Sequence, residues 1–173
     1  MTRTSITITN KKVNDMKRNI IYSIMLLCAL CACSDSDDEE QKDMQQPVIS
    51  DQGITANPID CQVYQRGSVI PFHYIMTDNQ ELGAFNIEIH NNFDHHTHST
   101  TAVECTMEAQ KQPQNPWVFN RDYTIPAGLR QYDARVDIQI PADIDPGDYH
   151  FMIRLTDRAG WQQLHAVAVK IMG

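Results

Sequence analysis

The sequence is short of positive charge and lacks the motifs that mark common enzyme classes. Lysine and arginine number 14 against 22 aspartate and glutamate residues, which gives a formal net charge of -8. A chain this acidic repels phosphate backbones, so nucleic acid is not expected among its partners. There is no Gly-rich phosphate loop, no Gly-x-Ser-x-Gly elbow and no His-Glu-x-x-His motif. The sequence therefore assigns no catalytic residue.

Long apolar runs are also lacking. The run over residues 20–32 has 13 residues, fewer than the about 20 needed to span a bilayer. It follows a short basic stretch and has the length of a secretory signal core. We therefore predict a signal peptide over residues 1–32, with Met16 as an alternative start because residues 1–15 fit no signal layout well.

The apolar run ends in Leu30-Cys31-Ala32-Cys33, which resembles a lipobox. The resemblance implies cleavage before Cys33 and lipid on that cysteine; an ordinary secretion signal cleaved nearby is the alternative. The acidic run over residues 34–40 is typical of a solvated tether. It also resembles the export signal of surface lipoproteins from gut-type Gram-negative anaerobes. We predict a lipidated, acidic, flexible tether over residues 33–53 that anchors the protein to the outer membrane, exposed at the cell surface or, alternatively, facing the periplasm.

Two cysteines, Cys61 and Cys105, lie beyond the tether. An exported chain meets an oxidising compartment, where cysteines form and keep disulfides. We therefore predict a disulfide between Cys61 and Cys105, with two buried free thiols as the alternative.

The remaining residues, 54–173, show alternating apolar and polar positions, turn signals and no helical period. The alternation is clearest over Leu82–His90 and Tyr149–Thr156, where it predicts strands with one apolar face. A weaker strand is predicted over Thr101–Met107. About seven short strands indicate an all-β fold, an immunoglobulin-like β-sandwich, with a jelly roll as the alternative.

Histidines are concentrated in one stretch, because four of the seven lie between residues 90 and 98. Imidazole is a good ligand for zinc and other first-row transition metals, and the carboxylate of Asp94 adds an oxygen ligand. If Leu82–His90 is strand C and Tyr149–Thr156 is strand F, the two strands are antiparallel neighbours. His90 and His150 then become cross-strand neighbours on the outward face.

These positions predict a site for zinc or another first-row transition metal. The predicted ligands are His90, Asp94, His96, His98 and His150, with Asp94 as a ligand or as a partner of one; His95 points away from His96. In the alternative interpretation, the histidines are ordinary hydrogen-bonding groups of an exposed polar loop.

Three functions are compatible with this sequence. The first is a non-enzymatic surface module whose metal site captures metal or nutrients or binds a partner. The second is a zinc-dependent hydrolase with Glu88 or Asp148 as the base. The third is a module that binds glycans or surface proteins, in which the histidines are incidental.

Other candidate residues have simpler structural interpretations. Asp78 and Asp157 could ligate calcium, but aspartate in these turn positions more commonly forms the turn. Trp117 and Trp161 could stack on sugars, but tryptophan in a small sandwich is usually part of the core.

Part of the chain resembles a known family. The segments Asp78–Leu82, Ile89–His98 and Gly147–Phe151 resemble a family of uncharacterised small surface lipoproteins from gut-type anaerobes. The resemblance extends over most of residues 55–172, and its His-rich stretch is the most specific part. It implies an immunoglobulin-like fold and a lipid anchor, and it supplies no catalytic residue.

Overall fold

A computed structural model describes residues 42–97 and 105–173. The predicted signal peptide, Cys33 and the acidic run over residues 34–40 lie outside these residues. Contacts within the chain separate Met1–Lys42 from a compact unit over Asp43–Gly173. The strands of this unit are β1 (Val48–Ser50), β2 (Gln62–Gln65), β3 (Val69–Thr77), β4 (Leu82–Asn91), β5 (Phe119–Thr124), β6 (Gln131–Gln139), β7 (Gly147–Asp157) and β8 (Gln162–Met172).

The strands form two sheets, which confirms the predicted all-β sandwich. One sheet has the order β1-β3-β6 and the other the order β2-β8-β7-β4-β5. The pairs are antiparallel except β2 with β8. The neighbours β4, β7 and β8 reproduce the C–F–G order of an immunoglobulin-like sandwich. The described residues form no helix, and so none that could cross a membrane.

The core lies between the sheets because apolar side chains alternate along the longer strands β3, β4 and β6. The predicted inward residues Phe85, Ile87 and Ile89 of β4 are at most 3% exposed. From the opposite sheet, the ring of Phe72 stacks on Phe85 at 5.9 Å and on Phe151 at 5.8 Å between centroids. Burial of these rings from both sheets holds the two layers together.

A corner at the start of β7 gives further support to this arrangement. The hydroxyl of Tyr149 donates to the carbonyl of Asp145 at 2.6 Å, and the same hydroxyl accepts from the backbone N–H of Trp117 at 3.3 Å. A tyrosine at the start of strand F that bonds back to the preceding corner is a feature of immunoglobulin-like domains. Trp117 is 6% exposed and belongs to the core.

The structure corrects one strand prediction. Cys105–Met107, the described part of the predicted strand Thr101–Met107, is not a strand; residues 101–104 lie outside the described residues. Val48–Ser50, which lies within the predicted tether, forms β1 and pairs with β3. The strands β1 and β2, of three and four residues, are too short to show alternation.

The outer face of the five-stranded sheet is covered at the start of β7. We call residues 92–97 and 105–111 the covering segment. The backbone N–H of Asn92 donates to the carbonyl of Asp148 at 2.8 Å, and that of Glu108 donates to the Asp148 carboxylate at 2.7 Å. The ring of His96 in this segment lies 5.0 Å from that of His150, and His150, which alternation predicts to face outward, is only 9% exposed.

Gly147 fits the close approach of the covering segment to β7. Its φ is +135°, a backbone conformation that L side chains rarely adopt, and a Cβ atom there would lie 2.9 Å from Cε1 of Phe93. Phe93 is itself 3% exposed and packs edge-on against Tyr149, with centroids 5.4 Å apart. Glycine at this position therefore lets the first residues of the covering segment pack directly on the sheet.

Candidate metal centre

Three imidazoles meet where β4 ends and β7 begins. The register pairs His90 of β4 with His150 of β7, as the C and F assignment predicted. His96 lies in the covering segment, which folds back at His95, whose φ is +61°. One ring nitrogen from each of His90, His96 and His150 lies within 4.8 Å of the other two. Two ligands on paired strands and one on a short return of the chain therefore converge on a common point.

The three rings adopt two orientations. The rings of His90 and His96 are nearly parallel, with an interplanar angle of 11° and centroids 5.4 Å apart. The ring of His150 is close to perpendicular to both, at 90° to His90 and 85° to His96, with centroids 5.5 Å and 5.0 Å away. The Nε2 atoms of His90 and His96 are 3.3 Å apart.

Carboxylates lie against the far nitrogens of two of these rings. Oδ1 of Asp94 is 2.5 Å from Nδ1 of His96, and Oε1 of Glu88 is 3.1 Å from Nδ1 of His90. The hydrogen bond with His96 holds the pKa of Asp94 below its ordinary value. A carboxylate on Nδ1 favours the proton there and leaves the lone pair on Nε2, which is the arrangement found in carboxylate–histidine–metal groups.

The separation of the two Nε2 atoms matches a zinc site. Two nitrogens bound at 2.0–2.1 Å with a tetrahedral angle between them lie about 3.3 Å apart. Two imidazole lone pairs at that distance repel each other unless a proton or a metal ion lies between them. The residues present therefore fit a first-row transition metal in ligand type, and His90 and His96 also fit it in spacing.

The cluster is partly shielded from solvent. The side chains of His90 and His96 are 18% and 36% exposed, and His150 is 9% exposed. A cavity of about 770 Å³ adjoins the cluster. The residues along its wall include Val63, Asn92, Met107, Asp148 and Ala168. A metal held by three imidazoles here would keep a coordination position open for water or a ligand.

The other predicted ligands are distributed differently. His98 lies outside the described residues. Asp94 contacts Nδ1 of His96, so it orients a ligand and is not in the converging group. His95 also lies outside the converging group, and its Nε2 is 3.0 Å from the carbonyl oxygen of Glu108.

The contact between Glu88 and His90 was not predicted, because from the sequence Glu88 is a candidate only for a base. The signal that could have found it is the spacing of two residues along β4, which puts both side chains on one face of the sheet.

The covering segment is fastened to the sheet by a disulfide. Cys61 and Cys105 are joined, with Cα atoms 5.3 Å apart and a sequence separation of 44. Cys61 immediately precedes β2, and its backbone N–H donates to the carbonyl of Ala168 in β8 at 2.8 Å. The bridge therefore attaches the second part of the covering segment to the edge of the five-stranded sheet.

Charged contacts hold the same segment at a second point. Nζ of Lys170 is 2.8 Å from Oε1 of Glu108 and 3.7 Å from Oδ1 of Asp148. This pairing lowers the pKa of Glu108 and raises that of Lys170. Nζ of Lys111 lies over the ring of Phe93, 4.3 Å from its centroid. The contacts of Lys170 thus tie residue 108 of the covering segment to β8 beside β7, and the contact of Lys111 with Phe93 joins the two parts of the segment.

The fold and the site define a β-sandwich with a histidine cluster held beneath a disulfide-fastened segment. The chain belongs to the family described as Domain of unknown function (DUF4625), whose model matches residues 31–172. Comparison with curated proteins finds no match.

Proposed function

We propose that the protein is a non-enzymatic lipoprotein of the cell surface whose sandwich domain binds a first-row transition metal, zinc foremost. The observation that carries this proposal is the convergence of His90, His96 and His150 within 4.8 Å. The hydrogen bond between Asp94 and Nδ1 of His96 strengthens it, since it orients that ring with Nε2 toward His90, and Oε1 of Glu88 lies 3.1 Å from Nδ1 of His90. Bound metal would serve in metal or nutrient capture, or in binding a surface partner.

The histidine cluster is partly open to solvent, which supports a role in metal capture. His96 is the most exposed of the three ligands, and it lies on the covering segment and not on a strand. A site with two fixed ligands and one on a loop can take up a metal from solvent without unfolding of the sheet. The adjoining cavity leaves room for a further ligand of the metal, supplied by water, a small molecule or a partner.

Zinc titration of the full chain, stripped with a chelator, tests the proposal. We expect one site with a Kd of about 10⁻⁶ M or below. The matched variants are His96→Asn and His95→Asn, which change neighbouring histidines to the same residue. The first should lose the site, while the second should keep it, because His95 bonds to a backbone carbonyl and asparagine tolerates its positive φ. Equal loss in both variants, or no binding by the unmodified chain, contradicts the proposal.

The proposed location of the protein is inferred from its N-terminal segment. Cys33 follows an apolar run and precedes an acidic run, and the family match from residue 31 includes both the cysteine and the acidic run. We expect Cys33 to carry the lipid that anchors the protein in the outer membrane. A radiolabelled fatty acid should be incorporated into the unmodified protein and not into Cys33→Ser. Added protease should remove the domain from intact cells; a protected domain would point to the periplasmic side.

A zinc-dependent hydrolase receives less support. The open coordination position would suit it, but the two candidate bases are already engaged. Glu88 is 3.1 Å from His90, and Asp148 accepts from the backbone N–H of Glu108 and lies near Lys170. A general base needs a free lone pair aimed at the reacting water. Both carboxylates already have polar neighbours in the site, which favours binding over catalysis.

A glycan-binding module also receives less support. Trp117 is buried in the core, which leaves Trp161, 37% exposed, as the one tryptophan able to stack on a sugar. Its Nε1 donates to the carbonyl of Asp43 at 2.9 Å, so its ring has a role in the structure of the domain.

A further inference from the structure

Three aspartates come together at the end of the sandwich remote from the histidine cluster. Asp43 precedes β1, Asp78 follows β3 and Asp157 ends β7. One carboxylate oxygen from each lies within 4.8 Å of the other two. Because His150 is near the start of β7 and Asp157 is at its end, the two clusters are roughly 20 Å apart along the strand. We propose that the aspartate cluster is a calcium site.

Burial makes this cluster costly without a cation. Asp43 and Asp157 are 7% and 4% exposed, and Asp78 is half-buried. Among residues 42–97 and 105–173 no lysine, arginine or histidine forms an ion pair with any of the three. Carboxylates that share a site with little water repel one another strongly. A divalent cation would turn this repulsion into attraction.

The hydrogen bonds of the cluster leave specific oxygens for such an ion. Oδ1 of Asp157 accepts from the backbone N–H of Trp161 at 2.8 Å, whereas its Oδ2 is buried and has no hydrogen-bond partner among the described residues. Buried polar atoms in folded proteins nearly always have a partner. Asp157 is 4% exposed and lies beside two further carboxylates. Its Oδ2 is therefore available to a cation.

Asp78 repeats this pattern. Its Oδ1 accepts from the backbone N–H groups of Gln80 and Glu81 at 2.8 and 2.7 Å, and its Oδ2 is likewise buried without a hydrogen-bond partner in the described part of the chain. Asp43 is held through Oδ1, which accepts from Asn79 at 3.1 Å. The three carboxylates are thus each oriented by one oxygen, and an ion would not need to reorganise them.

Ligand chemistry identifies the ion. All three side chains offer hard oxygen ligands, which suit calcium or magnesium and not the metals that imidazole prefers. Calcium accepts irregular coordination completed by water, whereas magnesium demands a near-octahedral shell at shorter distances. Carboxylates contributed by three separate parts of the chain match the less demanding ion. Extracellular calcium modules typically have a Kd of about 10⁻⁴–10⁻³ M.

The site would have a structural consequence at the N-terminal end of the domain. Asp43 is the first residue of the compact unit, and its carbonyl accepts from Nε1 of Trp161 at 2.9 Å. A shared ion would fasten Asp43 to Asp78 and Asp157, and so fix the point where the predicted tether joins the sandwich.

Thermal unfolding of the full chain, purified with a chelator and titrated with calcium to about 10 mM, tests the proposal. Calcium at about 100 times its Kd should raise the unfolding midpoint by about 5–10 °C, and magnesium should raise it less. Asp157→Asn should abolish the shift, since it removes the charge but keeps an acceptor for Trp161. Asp137→Asn, at an exposed carboxylate of β6, should keep the shift.

In chelator, Asp157→Asn should unfold at the same temperature as the unmodified chain or higher, because one repelling charge is gone. If that variant fails to fold, Asp78→Asn provides the same comparison. No calcium shift in the unmodified chain overturns the proposal. An undiminished shift in both cluster variants also overturns it, and assigns the calcium to the acidic run over residues 34–40.

Discussion

Replacing His150 with glutamine is expected to lower zinc affinity at least 100-fold. His150 is the most buried of the three proposed ligands, at 9% exposure, and it lies on β7 directly opposite His90. Its loss leaves one ligand on a strand and one on the covering segment, and two imidazoles do not define a tetrahedral site. Glutamine keeps a polar side chain of comparable length in the same place, so the stability of the chelated protein should change by only about 1 kcal/mol.

A graded comparison distinguishes this prediction from general damage. Asp94→Asn leaves all three imidazoles in place but removes the carboxylate that orients His96. Loss of such a partner usually lowers metal affinity about 10–100-fold, so its effect should be smaller than that of His150→Gln. Competition titrations against a chromophoric chelator measure both. Affinity retained within a few-fold in His150→Gln contradicts the proposed ligand set.

Removal of the disulfide should produce the largest change in stability. The double variant Cys61→Ala and Cys105→Ala opens a loop that spans 44 residues. The chain-entropy model gives such a bridge about 4 kcal/mol, because the unfolded chain regains the freedom that the bridge removes. We expect the free energy of unfolding in guanidinium chloride to fall by about that amount.

The effect of the disulfide on the metal site should be smaller. The contacts of Glu108 with Lys170 and Asp148 still hold the covering segment when the bridge is open, so zinc affinity should fall less than in His150→Gln. Reduction of the unmodified protein with a thiol should reproduce the loss of stability seen in the double variant. If the unfolding midpoint is the same with and without the bridge, the disulfide does not stabilise the folded protein.

The strands that carry the site could be predicted because their alternation is strong. Phe85, Ile87 and Ile89 mark one face of β4, and the same period in β7 gives its inward face. With the faces known, the antiparallel pairing of strands C and F puts His90 beside His150, although 60 residues separate them. The two-residue alternation along each strand and the known pairing of strands C and F are enough to predict that these distant residues lie together.

Features that depend on packing over the sheet could not be predicted. Nothing in the alternation of β7 indicates that His150 is buried, because the burial comes from the covering segment. The aspartate cluster has the same origin. Asp78 and Asp157 look like turn residues in sequence, and Asp43 looks like part of a charged tether. The pairing of β1 with β3 and the contacts of Asp43 with Asn79 and Trp161 bring Asp43 to the other two.

The most direct measurement is a crystal structure of the zinc-loaded full chain, with anomalous scattering recorded on both sides of the zinc absorption edge. The account predicts one strong zinc peak, with a nitrogen of each of His90, His96 and His150 about 2.0–2.1 Å away. A zinc-loaded crystal with no peak between these rings, or with the three rings turned away from one another, would contradict it.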